Sequence, residues 1–170
     1  MMSEKNPKTP LEKKAREWIK ERGVTLRDIG ELVHYLQSPY QKDLSIEDCI
    51  HHVDKVLSKR EVQNAVITGL QLDVLAEKRE LESPLQETIF FDESLYGIDE
   101  IIALSIVNVY GSIGFTNYGY IDKQKPGILA ELNEHSDEKC HTFLDDIVGA
   151  IAAAASSRLA HSIANVEDLD

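Results

Sequence analysis

The sequence predicts an all-α fold, a single domain of helices packed around an apolar central one. Three observations lead there. Helix-start signatures recur along the chain, each followed by apolar residues at helical spacing. The one run rich in β-branched residues, "IIALSIVNV" (101–109), has no second run that resembles a sheet partner. The 170 residues, 42% hydrophobic and 28% charged, suit one domain with a sizeable core.

The elements follow in order. "TPLE" (9–12) joins an N-cap threonine, a proline at the first helical position and a glutamate at the third. This capping box opens "LEKKAREWIKERG", which Gly23 can close. "TLRD" (25–28) repeats the device before Ile29, Leu32, Val33 and Leu36. "SIED" (45–48) does so before Ile46, Cys49, Ile50, Val53 and Leu57. In "REVQNAVITGLQLDVLAEKREL" (60–81), Val62, Ala65, Val66, Leu70 and Val74 keep the helical period through Gly69. "SPLQ" (83–86) opens a short helix with Pro84 at its first position. "IDEIIALSIVNVYG" (98–111) is apolar on nearly all sides after Glu100, as a buried central helix would be. "GSIGFTNYGY" (111–120) carries three glycines and reads as a turn or a tightly packed helix. Pro126 ends what precedes it and can start "GILAELNEH". Segment 143–165 is helical by its alanine content and by Leu144, Ile147, Val148, Ile151 and Leu159. The chain thus divides into a mobile tail (1–8), amphipathic helices (9–59), a more apolar core (60–165) and an acidic end (166–170).

The formal net charge of -12 excludes a general nucleic-acid binder and a chain held to anionic lipid by charge alone. Cys49 and Cys140 have no metal-ligand spacing and read as free thiols in a reducing cytoplasm. No run reaches the roughly 18 apolar residues that span a bilayer, so no transmembrane segment is expected.

Candidate chemistry rests on acids. In "HTFLDDIVGAIAAAA" (141–155), Asp145 falls at the third helical position if Thr142 is the N-cap, and there it complements the helix dipole. Asp146 lies about 100° further round and fits that account poorly. A metal or substrate site is the other reading of the pair. Asp99 and Glu100 form a second pair at the mouth of an apolar helix, open to the same two readings. Asp122 stands near a helix C-terminus, where a carboxylate opposes the dipole, so capping does not explain it. A straight helix over 99–122 would hold its ends about 34 Å apart. For Asp99 and Asp122 to share a site, the chain must reverse between them, and Gly111, Gly114 and Gly119 are where it can. His141, four residues before Asp145, is placed to orient it. All-oxygen ligands point to a hard cation such as Mg²⁺. No Walker A loop, GxGxxG, GxSxG or HExxH is present.

Taken in order, "IDEIIALSI" (98–106), "IDKQKPGI" (121–128) and "FLDDIVGAIAA" (143–153) resemble the motif series of the bacterial phosphatidylglycerophosphatase A family. That family carries a D-E pair opening an apolar helix, a D-x-x-K-P element and a D-D-I-V-A/G-like element. The pattern falls on Asp99 and Glu100, on Asp122, Lys125 and Pro126, and on Asp145, Asp146 and Gly149. The resemblance implies Mg²⁺-dependent removal of phosphate from a monoester, in that family the phosphate end of phosphatidylglycerophosphate. It implies Asp99, Glu100, Asp122 and Asp146 as metal ligands and Lys125 as the group neutralising the phosphoryl charge, with Glu100 or Asp145 as ligand or general base. In place of the family's glycine-rich P-G-T-x-G-S element stands "NAVITGLQLDVLAEK" (64–78), where Thr68 and Gly69 are the matching, substrate-side positions. The expected partner is a phosphorylated small molecule or lipid headgroup. A non-catalytic helical module binding a partner or small ligand is the alternative. The small-residue stretch "GAIAAAASS" (149–157) favours close helix contacts and a homo-oligomer.

Overall fold

The computed structural model describes residues 7–167. The predicted tail up to residue 6, and residues 168–170 of the acidic end, lie outside the described residues. Among those described, the chain forms nine α-helices and no strand. They are α1 (Pro10–Glu21), α2 (Leu26–Gln37), α3 (Ile46–Leu57), α4 (Arg60–Glu77) and α5 (Leu85–Phe90), then α6 (Ile98–Val107), α7 (Ser112–Gln124), α8 (Ile128–Leu132) and α9 (Leu144–Glu167). A 3₁₀ turn, Asn108–Tyr110, prolongs α6. The fold is all-α.

The cap signals hold in varying degree. Thr25 accepts from the Asp28 amide while Asp28 accepts from the Thr25 amide, a closed capping box. Thr9 accepts from the Glu12 amide, but Glu12 turns to Arg16 at 2.8 Å instead of closing the box. Pro84 precedes α5 rather than opening it.

The central helix is α9, not the 98–111 segment. α9 packs against α2, α3, α4, α6, α7 and α8, and every residue from Leu144 to Ser157 is buried. Its alanines let neighbours approach closely, which is why so many helices surround it. Two buried serines are satisfied by carbonyls: Ser156 Oγ donates to Ala152 O and Ser157 Oγ to Tyr110 O. α6 is apolar all round yet leaves Ile98 and Ile101 48% and 61% exposed, because its other face already meets α9 and α4. The stretch 149–157 expected to mediate self-association is thus covered within the chain.

α9 is long and apolar enough to cross a membrane by length and composition alone. Leu144–Ala164 has the length and a mean hydropathy of 1.3 that a span requires, although 67% of that window is buried beneath other helices. Asp145, Asp146 and Arg158 interrupt the apolar run, while its alanines, isoleucines, leucines and valine keep the mean high. The chain reverses at Gly111, whose φ of 85° admits glycine readily, and α7 then runs back beside α6 and along α9. Cys49 and Cys140 are buried and free.

Candidate functional site

The reversal at Gly111 brings the predicted acids together. Asp99 and Glu100 from the first turn of α6, Asp122 and Lys125 from the end of α7, and Asp145 and Asp146 from the first turn of α9 line one cavity of about 390 Å³. Asp92 and Glu93 join them from the loop before α6. Seven acidic side chains therefore face one lysine.

Each is placed by local chemistry. Gly97, in the left-handed region with φ 76°, turns the chain into α6 and sets Asp99 and Glu100 at the positive end of its dipole. Pro126 disfavours the right-handed helical region for the residue before it. Lys125 ends α7 in the left-handed region, with φ 47° and ψ 51°, and turns its side chain inward. Its Nζ donates to Asp122 Oδ1 at 2.7 Å and to Asp145 Oδ2 at 3.0 Å. Burial opposes the ammonium charge, but Asp145 and Asp122 outweigh it and hold the lysine above its ordinary pKa.

Asp146 is buried among the other carboxyls. Tyr118 Oη donates to its Oδ1 at 3.2 Å, and its own amide donates to Asp145 Oδ1 at 2.9 Å. Burial first, then Asp145, Asp99 and Asp122, push its carboxyl well above the usual range, and a hydrogen bond with Asp99 adds to this. Burial likewise raises Asp145, tempered by Lys125. It raises Asp92 too, with Asp99 adding to the effect.

Several expectations are corrected. Thr142 is not the N-cap of α9; its hydroxyl donates to Ile89 O. Asp145 is the second helical residue, not the third, and is engaged by Lys125. The cap comes from another helix: the buried Asp73 of α4 accepts from the Phe143 and Leu144 amides. Thr68 and Gly69 lie away from the cavity. Thr68 is exposed and donates to Asn64 O one turn back, while Gly69 gives room to Ile147 and Phe143 of α9. His141 meets Leu132 O through Nδ1 instead of Asp145. Among the described residues, no three acidic, histidine or cysteine side chains stand close enough as found to hold a metal ion.

Asp92, Tyr118 and Asp73 escaped the sequence reading. Asp73 had a signal: it falls on the buried stripe Val62, Val66, Gly69, Asp73, Ala76 of α4, where a charge needs a partner. Asp92 had none, since nothing local distinguishes it from a solvated loop acid.

The family model for phosphatidylglycerophosphatase A matches residues 20–161. The uncharacterised protein YutG of Bacillus subtilis is 62% identical over 166 residues, covering 98% of this chain and 100% of its own length. The crystal structure of low temperature requirement C protein from Listeria monocytogenes superposes with a TM-score of 0.91 at 68% identity, covering 92% of this chain and 99% of that one. That of YpjQ from Bacillus subtilis gives 0.89 at 52% identity, covering 95% and 99%. With a matched region that takes in all three acidic motifs and most of the helical array, this chain belongs to the phosphatidylglycerophosphatase A family.

Proposed function

We propose that the chain is a Mg²⁺-dependent phosphomonoesterase acting on a phosphorylated small molecule or a lipid headgroup. The observation that carries this reading is the convergence of Asp99, Asp122 and Asp146, from three helices, on one cavity beside Lys125. The donor set is all oxygen, which suits a hard divalent ion. Its charge fits as well: burial and the neighbouring Asp145, Asp99 and Asp122 carboxyls push Asp146 up, and a cation there would relieve that repulsion. The fit lies in donor chemistry and charge rather than in a preformed ligand shell. When bound, the ion would polarise phosphoryl oxygens and acidify a water.

The chain's own residues supply the rest. Lys125, aimed by Asp122 and Asp145, neutralises charge on the transferring phosphoryl group, a step governed by positioning and electrostatics. Asp145 acts as the lysine's anchor. Glu100, exposed at the rim, takes the proton of the attacking water. With Thr68 and Gly69 remote, contacts to the phosphate fall to Lys125 and to Asn133, which also lines the cavity. Free, buried cysteines support action in a reducing, cytoplasmic setting.

The test is phosphate release from a panel of soluble monoesters and of phosphatidylglycerophosphate in detergent. Release is expected in millimolar Mg²⁺, is abolished by a chelator, and falls about 10²–10³-fold in kcat for Lys125→Ala. Wild-type protein silent across the panel with both Mg²⁺ and Mn²⁺ would leave the helical binding module as the better reading.

A further inference from the structure

Asp73 is wholly buried toward the C-terminal end of α4, on the face that packs against α9. Its two carboxylate oxygens accept from Phe143 N at 3.0 and 3.2 Å, and Oδ2 accepts from Leu144 N at 2.9 Å. The first amides of any helix lack partners within it, and a local N-cap side chain normally supplies one. Phe143 has no such oxygen. Further along, the Asp145 amide donates to His141 O and the Asp146 amide to Asp145 Oδ1, so Leu144 N depends on Asp73. One turn along α4, Glu77 accepts from Cys140 N at 2.7 Å, and Arg22, paired with Glu77, donates to Cys140 O at 2.8 Å. The backbone from 140 to 144 is therefore gripped at both ends by the same helix.

We infer that Asp73 is a positioning residue of the cation site: by capping α9 from α4 it fixes where that helix starts, and so where Asp145 and Asp146 point. This rests on the cation-dependent reading above. The two aspartates are the second and third residues of α9, and each helical residue turns the side chain by about 100°. A first turn that frays therefore frees both carboxyls to leave the cavity and releases Lys125 from Asp145. The role needs no contact between Asp73 and substrate.

The experiment measures Mn²⁺ affinity of the full chain by electron paramagnetic resonance of the free ion, with amide hydrogen exchange at residues 143–146 alongside. Asp73→Ala should weaken Mn²⁺ binding about 10–100-fold, the usual effect of losing a group that orients metal ligands, and should speed exchange at those amides relative to the rest of α9. Asp73→Asn, left with one acceptor oxygen for two N–H groups, should fall between. Val53→Ala, which opens the core at α3, should lower thermal stability and leave Mn²⁺ affinity unchanged. Wild-type affinity in Asp73→Ala, or an equal loss in Val53→Ala, overturns the inference. If Asp73→Ala does not fold, Asp73→Asn decides, and wild-type values in both measurements overturn it. If Mn²⁺ does not bind wild type, the cation reading fails, and exchange alone decides whether Asp73 holds the start of α9.

Discussion

Asp145 and Asp146 are adjacent, yet their surroundings separate their roles. Asp145 holds Lys125, while Asp146 meets Tyr118 and Asp99 across the cavity. Asp146, Asp122 and Lys125 were legible because local capping could not account for the two acids and the D-x-x-K-P pattern marked the lysine. Thr68 and Gly69 misled because a glycine needed for helix packing looks the same in sequence as one that cradles phosphate. Away from the site, His52 supports a prediction of its own. Its Nδ1 accepts from Arg158 Nη1 at 2.7 Å, so the ring is neutral with its proton on Nε2. Burial, then Arg158 and His51, lower its pKa to about 4, with Asp48 opposing. The unfolded chain, near 6.5, binds the proton first as pH falls. Stability from this group is therefore complete above about pH 6.5 and declines as pH drops toward 4. Urea unfolding at pH 7 and pH 5 should show a larger loss in wild type than in His52→Gln; equal losses would remove His52 from the account.

At the scale of elements, the crossing of α4 over α9 sets the site. A Cβ on Gly69 would lie 2.4 Å from Ile147 Cδ1 and 3.1 Å from Phe143 Cβ. The isoleucine tip can swing aside, whereas Phe143 Cβ is fixed to the backbone that Asp73 caps. Gly69→Ala should therefore cost about 1–3 kcal/mol, the range for overpacking a filled core, read as a lower urea midpoint with an unchanged slope. Wild-type stability would mean that the crossing has slack and Gly69 is not required there. The helices themselves were readable because capping residues and the 3.6-residue period act within one or two turns. The choice of α9 over α6 as the centre was not, since both are apolar and burial depends on what each one meets.

At the scale of the molecule, an acidic chain concentrates seven of its carboxyls around one lysine and leaves that charge to be balanced. A cation bound only by the folded state must raise its stability, by about 2.7 kcal/mol at a hundred times Kd. Thermal unfolding at pH 7 should shift upward in Mg²⁺ or Mn²⁺, and the shift should vanish in Asp122→Ala combined with Asp146→Ala. A shift that persists in the double variant would place the ion elsewhere.

The amino-acid order alone determined the helical class, most helix starts, the acids at 99, 100, 122, 145 and 146, and the family they resemble. Those signals are carried by residues a few positions apart, whose physics is complete within a turn or two. Only the tertiary structure decided that α9 is the core, that the acids share a cavity with Asp92, that Tyr118 bonds to Asp146, and that Asp73 caps α9 from a distance. Those depend on the reversal at Gly111 or on contacts between residues far apart in the chain, where side-chain identity does not reveal the partner.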